Sequence, residues 1–153
     1  MKIKLLADEP GAINTIAQWY YDEWSGDPPE YNINQIKDML KLSCNHDKVP
    51  LTLVAKEGDK LVGVAALKFT EMAMFPQYQH WLGGVYVVAS ERGKGIAAKM
   101  VTAILAKAKA AGVKTLYLQT DDHSGGVYLT LGFKPLKQVD NDGDHVLVMV
   151  AEL

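Results

Sequence analysis

The chain has 153 residues, a length typical of one domain, and a chain of this size buries enough apolar surface to form a core without disulfides or metals. Lysine and arginine total 16 against 18 aspartates and glutamates, which gives a formal net charge of −2. This near-balance leaves no electrostatic footprint for DNA or RNA, and no apolar run is long enough for a signal peptide or a transmembrane helix. We therefore expect one cytoplasmic domain over residues 1–153, with no nucleic-acid or membrane partner.

The N-terminal half of the sequence changes its hydrophobic period once. Apolar residues recur at steps of three and four up to Cys44, a spacing typical of helices, whereas the segments beyond it are apolar runs divided by turn residues. In chain order, this pattern predicts a short strand over Lys2–Ala7, helices over residues 12–24 and from about Asn32 to Cys44, a β-hairpin of Leu51–Lys56 and Leu61–Phe69, and a strand over Trp81–Val88.

The C-terminal half returns to a helix and then to strands. The segment Ile96–Ala111 has two adjacent apolar rows, with lysines in its last turns and Gly112 directly after it, as expected at a helix C-terminus. The remaining segments predict a strand over Thr115–Thr120, a short helix near Ser124–Leu131 that ends at Gly132, and a final strand over His145–Ala151. The whole order indicates a mixed α/β domain.

The most informative segment is the glycine-rich turn between the third strand and the helix at Ile96. It contains Arg92, Gly93, Lys94 and Gly95 in succession. Glycines let the backbone approach a ligand closely, and the first N–H groups of the following helix are unpaired and lie at the positive end of its dipole. Together with two cations, these groups form a phosphate cradle. The alternative is a solvated turn with two surface cations.

Two common phosphate-binding motifs fit this segment poorly. The P-loop requires a glycine five residues before its Gly-Lys pair, where this chain has Val88, and a serine or threonine after the lysine, where it has Gly95. The dinucleotide fingerprint G-x-G-x-x-G/A is formally met by Gly93, Gly95 and Ala98. Only 55 residues follow Ala98, however, which is too few for a doubly wound sheet, so a dinucleotide-binding protein is the second interpretation.

Two motifs together resemble a known family. Arg92-x-x-Gly95-x-Ala97 resembles the R/Q-x-x-G-x-G/A loop of the GNAT superfamily of acyl-CoA N-acyltransferases, and Tyr128-x-x-x-Gly132-Phe133 resembles that family's Tyr-x-x-x-Gly-Phe element. The order of predicted elements is also similar over essentially the whole chain. The resemblance implies an α/β (α+β) GNAT fold: a single mixed, mostly antiparallel, twisted sheet of six to seven strands flanked by about four helices.

The resemblance also implies how a cofactor, acetyl-CoA, would bind. The main-chain N–H groups of the turn would wrap the CoA pyrophosphate, and an exposed strand edge would pair with the pantetheine arm as an added strand does. The adjacent glycines Gly83 and Gly84 fit a bulge or splay that opens this edge. The residues implied at the cofactor are Val85, Tyr86, Val87, Arg92, Gly93, Lys94, Gly95, Ile96, Ala97 and Ala98.

The same resemblance assigns the chemistry. Tyr128 matches the general acid that gives a proton to the departing CoA thiolate, which suits a phenol whose ordinary pKa is about 10. The acceptor amine must lose a proton, and Glu71 is the first candidate base, with His80 and the Asp121–His123 cluster as alternatives. The acceptor pocket is expected between the first two helices, around Trp24–Tyr31. Asp121 and Ser124 replace the family's usual Asn and Ala, which puts the cofactor contact there in doubt.

These residues predict an acetyl-CoA-dependent N-acetyltransferase that moves an acetyl group directly to a primary amine of a small molecule or peptide. The alternative is a catalytically silent CoA-binding or regulatory module with the same fold. We expect no metal, because the four histidines lack paired ligand spacing, and no covalent acyl-enzyme, because a helix C-terminus disfavours a Cys44 thiolate. A homodimer is expected only because similar proteins are often dimers.

Overall fold

The structure, a computed structural model, describes all 153 residues around one seven-stranded sheet. The strands lie in the spatial order β1-β2-β3-β4-β5-β7-β6. In chain order the elements are β1 (Lys2–Leu5), α1 (Ile13–Trp24), α2 (Ile33–Leu42), β2 (Leu51–Glu57), β3 (Lys60–Phe69), β4 (His80–Val87), α3 (Ile96–Ala110), β5 (Thr115–Thr120), a six-residue 3₁₀ helix (Gly126–Leu131), β6 (Lys134–Asn141) and β7 (Asp144–Glu152).

The sheet is antiparallel except at its centre, where β4 and β5 run parallel. These two strands share only one residue pair, Trp81 with Tyr117. On its other side β4 pairs with β3 over most of its length, and β5 pairs with β7. Beyond Trp81 the strands therefore separate, and the β4 edge that faces β5 carries free main-chain groups. A sheet with a single parallel pair is not doubly wound, so the dinucleotide-binding interpretation is wrong for this fold.

The helices cover both faces of the sheet. On one face, α1 and α2 bury Ile16 and Leu40 against Val54 of β2 and Val64 of β3. On the other face, α3 packs into the larger core cluster, which includes Met100 and Ile104. A third, smaller cluster lies beneath the loop between β3 and β4 and contains Met72, Trp81, Val146 and Val148.

A reciprocal cap fixes the start of α2. The Asn32 side chain accepts a hydrogen bond from the Gln35 amide at 2.9 Å, and the Gln35 side chain accepts one from the Asn32 amide at 2.8 Å. This capping box satisfies two N–H groups that the helix leaves unpaired, and such caps contribute about 1 kcal/mol. It also holds the end of the α1–α2 connection, where an acceptor pocket is predicted.

The structure differs from the prediction at the bounds of three elements and in one strand that was not predicted. The second helix ends at Leu42 rather than at Cys44. The first strand ends at Leu5 rather than Ala7, because Leu6–Asp8 folds into a 3₁₀ turn that buries Leu6. The short helix begins at Gly126 rather than Ser124 and is 3₁₀. β6 was not predicted: it is an edge strand whose residues 134–138 are all exposed, and Pro135 sits at a register irregularity, so no alternating apolar pattern marks it. No helix combines the length and the hydropathy needed to cross a bilayer.

Candidate active site

The turn after β4 forms one side of the candidate phosphate-binding site. Gly93 and Gly95 both have φ of +79°, a left-handed conformation that favours glycine, and no atom lies within 4 Å of a Cβ built on either. Gly95 is the N-cap residue of α3 and provides no side-chain cap, so the first-turn N–H groups of α3 keep their hydrogen-bonding capacity. These groups and the dipole of a 15-residue helix favour an anion at this position.

A cavity of about 290 Å³ opens between this turn and the exposed edge of β4. Its lining contains every predicted cofactor residue except Tyr86 and Lys94. Glu91 and Val127 also line it and were not predicted. Val127 was not predicted because any apolar residue can line a cavity in this way. Glu91 was not predicted because it is an acid at a place where a phosphate-containing cofactor favours cations.

The two cations of the turn already have partners within the protein. Arg92 Nε donates to the Val87 carbonyl at 2.9 Å, and its guanidinium carbon lies 5.5 Å from the centroid of the Tyr86 ring. Lys94 Nζ donates to Glu91 Oε2 at 2.7 Å, and this bond lowers the pKa of the Glu91 carboxyl. Each cation therefore has one partner within the protein, and both residues stay exposed beside the cavity. The main-chain amides of the first turn of α3 are further donors.

A β-bulge interrupts β4 next to the cavity. Ala66 pairs with Gly83 and Val64 pairs with Tyr86, so that Gly84 and Val85 together face the single residue between them on β3. Gly84 has φ of +58°, and a Cβ there would overlap the hydroxyl of Tyr20. That hydroxyl donates to the Gly84 carbonyl at 2.7 Å, so α1 holds the bulge directly. The bulge predicted from the two glycines is present.

Glu71 lies against the same bulge. Its carboxylate occupies the space that a Cβ on Gly83 would need, and its side chain is 16% exposed. Lys68 Nζ lies 3.2 Å from Oε1, and Gln119 Nε2 donates to Oε2 at 3.0 Å. Asn141 in turn donates to the Gln119 side chain at 3.2 Å. Glu71 is therefore held on both oxygens.

Tyr128 lies on the 3₁₀ helix and is partly buried against the larger core cluster. Its ring packs edge-on against Phe133, with centroids 6.1 Å apart. Burial, and after it the negative charge of Glu71, raises the pKa of the Tyr128 phenol above its ordinary value. The same two causes raise the pKa of Tyr20. The carboxylate thus lies within electrostatic reach of both phenols, and both stay protonated at neutral pH.

With this geometry established, sequence and fold comparisons agree on one family. Residues 13–133, most of the chain, match the model of the acetyltransferase (GNAT) family. The chain belongs to the GNAT acetyltransferase family. Members of this family take the acetyl group from acetyl-CoA. No curated protein matches the GNAT chain at the level of sequence.

Solved structures share the GNAT fold over the full chain. A ribosomal-protein-alanine N-acetyltransferase from Brucella melitensis is similar with a TM-score of 0.77 at 19% identity, covering 100% of both chains. An aminoglycoside 6'-acetyltransferase type Ii has a TM-score of 0.73 at 22% identity, over 99% of this chain and 97% of that one. An aminoglycoside 6'-N-acetyltransferase complexed with coenzyme A has a TM-score of 0.73 at 19% identity, with the same coverage. These similarities establish the fold.

The other predicted base candidates of this GNAT domain have partners of their own. His80, at the start of β4, lies against the Phe69 ring with centroids 5.5 Å apart. His123 contacts the His145 ring and its Nε2 lies 2.8 Å from the His145 carbonyl oxygen. Asp121 is exposed, whereas Asp122 accepts from the Ser124 amide at 3.0 Å and shapes the turn before the 3₁₀ helix. No group of three or more His, Cys, Asp or Glu side chains is placed to hold a metal.

An aromatic cluster joins α1 of the GNAT domain to β4. Trp24 is 53% exposed, and its ring centroid lies 5.4 Å from that of Tyr20 and 6.4 Å from that of Tyr86. Trp19 contacts Tyr86 from the other side at 5.1 Å. Trp24 therefore presents an exposed aromatic surface next to Tyr20, whose hydroxyl holds the bulge. It lies in the segment where the sequence predicts an acceptor pocket, but the sequence does not indicate its contact with Tyr86.

Proposed function

We propose that this protein is an N-acetyltransferase that moves the acetyl group of acetyl-CoA directly to a primary amine of a small molecule or peptide. One observation carries the proposal: the Glu71 carboxylate is held at Gly83, beside the bulge at the end of the opened β4 edge, and its charge reaches the half-buried Tyr128 phenol. Direct transfer needs a base for the amine and an acid for the thiolate at one point, and this pair provides both.

The cofactor is assigned to the cavity beside β4. The amides from Gly93 to Ala98 hold the pyrophosphate, since that of Arg92 already donates to the Ala89 carbonyl. The main-chain groups of Val85, Tyr86 and Val87 pair with the pantetheine arm. An arm that leaves the turn and follows β4 backwards reaches Gly84 and Gly83, since strands advance about 3.3 Å per residue. The thioester then lies at the bulge, between the two catalytic side chains.

The catalytic step uses each side chain once. Glu71 accepts a proton from the acceptor ammonium, directly or through a water, and the neutral amine attacks the thioester carbon. The carbon–sulfur bond breaks, its electron pair remains on sulfur, and Tyr128 donates a proton to that sulfur. The second proton lost by the nitrogen returns through solvent to Tyr128. The ordinary pKa of a phenol, about 10, is raised further by burial, so Tyr128 is protonated at neutral pH, as this role requires.

A cationic acceptor is supported by the charge around α1. The segment from Pro10 to Ile36 has four acidic residues and no lysine or arginine. Beside it, the exposed Trp24 ring provides a face on which a cation or the aliphatic part of an amine can pack. We therefore propose a positively charged amine as the acceptor. The homodimer and the cytoplasmic location stay predictions.

Thiol release from acetyl-CoA with a panel of amines tests this function. The panel should include polyamines, aminoglycosides, amino acids and short peptides, and products are identified by the mass of one added acetyl group. We expect turnover with at least one cationic amine and a loss of about tenfold or more in Tyr128→Phe, with acetyl-CoA affinity retained. Acetyl-CoA binding without turnover of any amine would instead support the silent CoA-binding module.

A further inference from the structure

Lys68 places a primary amine inside the candidate active site. It is the second-last residue of β3, and its Nζ lies 3.2 Å from Glu71 Oε1. Its aliphatic chain lies over Gly83, where a Cβ would come within 2.8 Å of Lys68 Cδ. The lysine side chain is 35% exposed, so the ammonium group reaches solvent while its chain is held. A base candidate for amine acetylation therefore already contacts an amine of its own chain.

The sheet register brings this amine next to the opened strand edge. Lys68 pairs with Trp81 on β4, and Trp81 is the residue at which β4 and β5 make their only pair. Paired residues of neighbouring strands point to the same face. Lys68 thus emerges at the point where the wedge between β4 and β5 begins, and its chain passes over Gly83, next to the bulge where the thioester is proposed to lie.

We propose that Lys68 is a self-acetylation site, modified by the chain's own active site from acetyl-CoA when no acceptor amine is bound. This inference rests on the proposed function, because it uses the same thioester, the same base and the same acid. It goes beyond that function by naming a modified residue and an effect on the enzyme.

The reaction balances in the same way as acetylation of an external amine. Glu71 takes one proton from the Lys68 ammonium and passes it to solvent, and the neutral nitrogen attacks the thioester carbon. The carbon–nitrogen bond forms, the carbon–sulfur bond breaks, and Tyr128 gives the thiolate a proton. The nitrogen loses its second proton, which restores Tyr128. The products are Nε-acetyl-lysine at position 68 and free CoA, and no other reactant is needed.

Acetylation would change the site in two ways. The neutral amide no longer forms an ion pair with Glu71, so the carboxylate loses one of its two partners. The added acetyl group also occupies the space over Gly83 that an acceptor amine needs to reach Glu71. Self-acetylation is therefore expected to inhibit turnover of external amines and to couple activity to the supply of acetyl-CoA without acceptor.

Mass spectrometry of the full chain incubated with acetyl-CoA alone tests this proposal. Digestion gives the rate of acetylation at each lysine, and the exposed lysines, which react by uncatalysed chemistry, serve as internal references. We expect Lys68 to be acetylated at least about tenfold faster than any of them, and this excess to disappear in Tyr128→Phe and in Glu71→Gln. The rate at Lys68 should not depend on protein concentration, because the reaction is intramolecular.

Each other outcome has a defined meaning. Equal rates at Lys68 and the reference lysines, or an excess that survives in the folded Tyr128→Phe variant, overturn the inference. A rate that rises with protein concentration also overturns it, since one chain would then modify another. An enzyme that acetylates amines while Lys68 stays unmodified refutes self-acetylation and leaves the proposed function intact, whereas absence of acetyl-CoA binding, measured by calorimetry, refutes both.

Discussion

The phenol of Tyr20 donates a 2.7 Å hydrogen bond to the main-chain carbonyl of Gly84. These residues are 64 positions apart, and the bond ties the middle of α1 to the bulge of β4. The bulge turns the β4 backbone at the point where the thioester is proposed to lie. A single hydroxyl therefore links the helix that carries the proposed acceptor surface to the strand that carries the proposed cofactor edge.

Tyr20→Phe should lower both turnover and stability. Loss of the hydroxyl leaves the Gly84 carbonyl without this donor, which costs about 1–3 kcal/mol of unfolding free energy. Because the bulge positions the reacting groups, we expect kcat to fall roughly tenfold while KM for acetyl-CoA changes little. Tyr21→Phe is the matched control, since Tyr21 is the next residue of α1 and packs against the same cluster. Similar kcat values in the two variants would show that the bond has no part in positioning.

The glycine turn before α3 allows a second prediction, which separates backbone strain at a glycine from contact between that glycine and CoA. Gly95 and Gly112 lie at opposite ends of α3, with φ of +79° and +85°, and no atom lies within 4 Å of a Cβ on either. Alanine in this conformation is strained by about 1–2 kcal/mol, so both Gly95→Ala and Gly112→Ala should lose a similar amount of stability.

Only one of these two variants should affect the cofactor. The methyl group at residue 95 points into the space assigned to the pyrophosphate, so CoA affinity should fall about tenfold, which corresponds to 1.4 kcal/mol. Gly112→Ala should bind CoA normally. Calorimetry of CoA binding and chemical denaturation of both proteins provide the two readouts, and equal CoA affinities in the two variants would remove the turn from the binding site.

The fold could be predicted from sequence where local patterns determine it. Both α3, predicted from its two apolar rows, and the turn before it, predicted from the spacing of Arg92–Ala98, are determined by residues that are close in sequence. The structure contains both elements at these positions. β6 was missed because an edge strand next to solvent has no buried face to leave a pattern. Its pairing with β7 depends on main-chain hydrogen bonds, which every sequence can make.

The candidate site was harder to predict than the fold. Glu71 was identified as an acid after a strand, but the bond from Gln119, 48 residues away, follows only from the sheet order. The tie between Tyr20 and Gly84 is equally remote in sequence. The sequence shows that Arg92 and Lys94 are charged but does not show their partners. Their hydrogen bonds to the Val87 carbonyl and the Glu91 carboxylate therefore could not be predicted.

Glu91 should weaken cofactor binding in the native protein. It lines the cavity assigned to CoA, and its carboxylate repels a pyrophosphate although it also holds Lys94. Glu91 is also paired with Lys60, whose Nζ lies 3.7 Å from its Oε1, and its side chain is 18% exposed. Removing its negative charge leaves both lysines unopposed beside the cavity, so Glu91→Gln should strengthen CoA binding roughly threefold at low ionic strength. The gain should vanish near 1 M salt, where the Debye length is about 3 Å.

The exposed pair of Asp38 and Lys41 provides a matched control for this effect. It has the same three-residue spacing as Glu91 and Lys94, but it lies on α2 and not at the cavity. Asp38→Asn should therefore leave CoA affinity unchanged at every salt concentration. Weaker binding in Glu91→Gln would mean that holding Lys94 matters more than the repulsion.

The last prediction concerns the ionisation of Tyr128. Burial, followed by the charge of Glu71, raises its pKa above the value of about 10 found in the unfolded chain. The folded protein then keeps a proton that the unfolded chain releases. This contribution to the unfolding free energy is fully present below about pH 10 and is lost as the pH rises through the folded pKa.

Tyrosinate absorbance measures this shift directly. The difference between the titrations of the native protein and Tyr128→Phe reports Tyr128 alone, and its midpoint should lie above about pH 10, whereas in urea it should lie near 10. Glu71→Gln removes the negative charge and leaves burial, so the midpoint should move down but stay above the value in urea. A native midpoint at or below that of the unfolded chain would place the phenol in water, away from the burial and from the Glu71 charge on which its position in the candidate site depends.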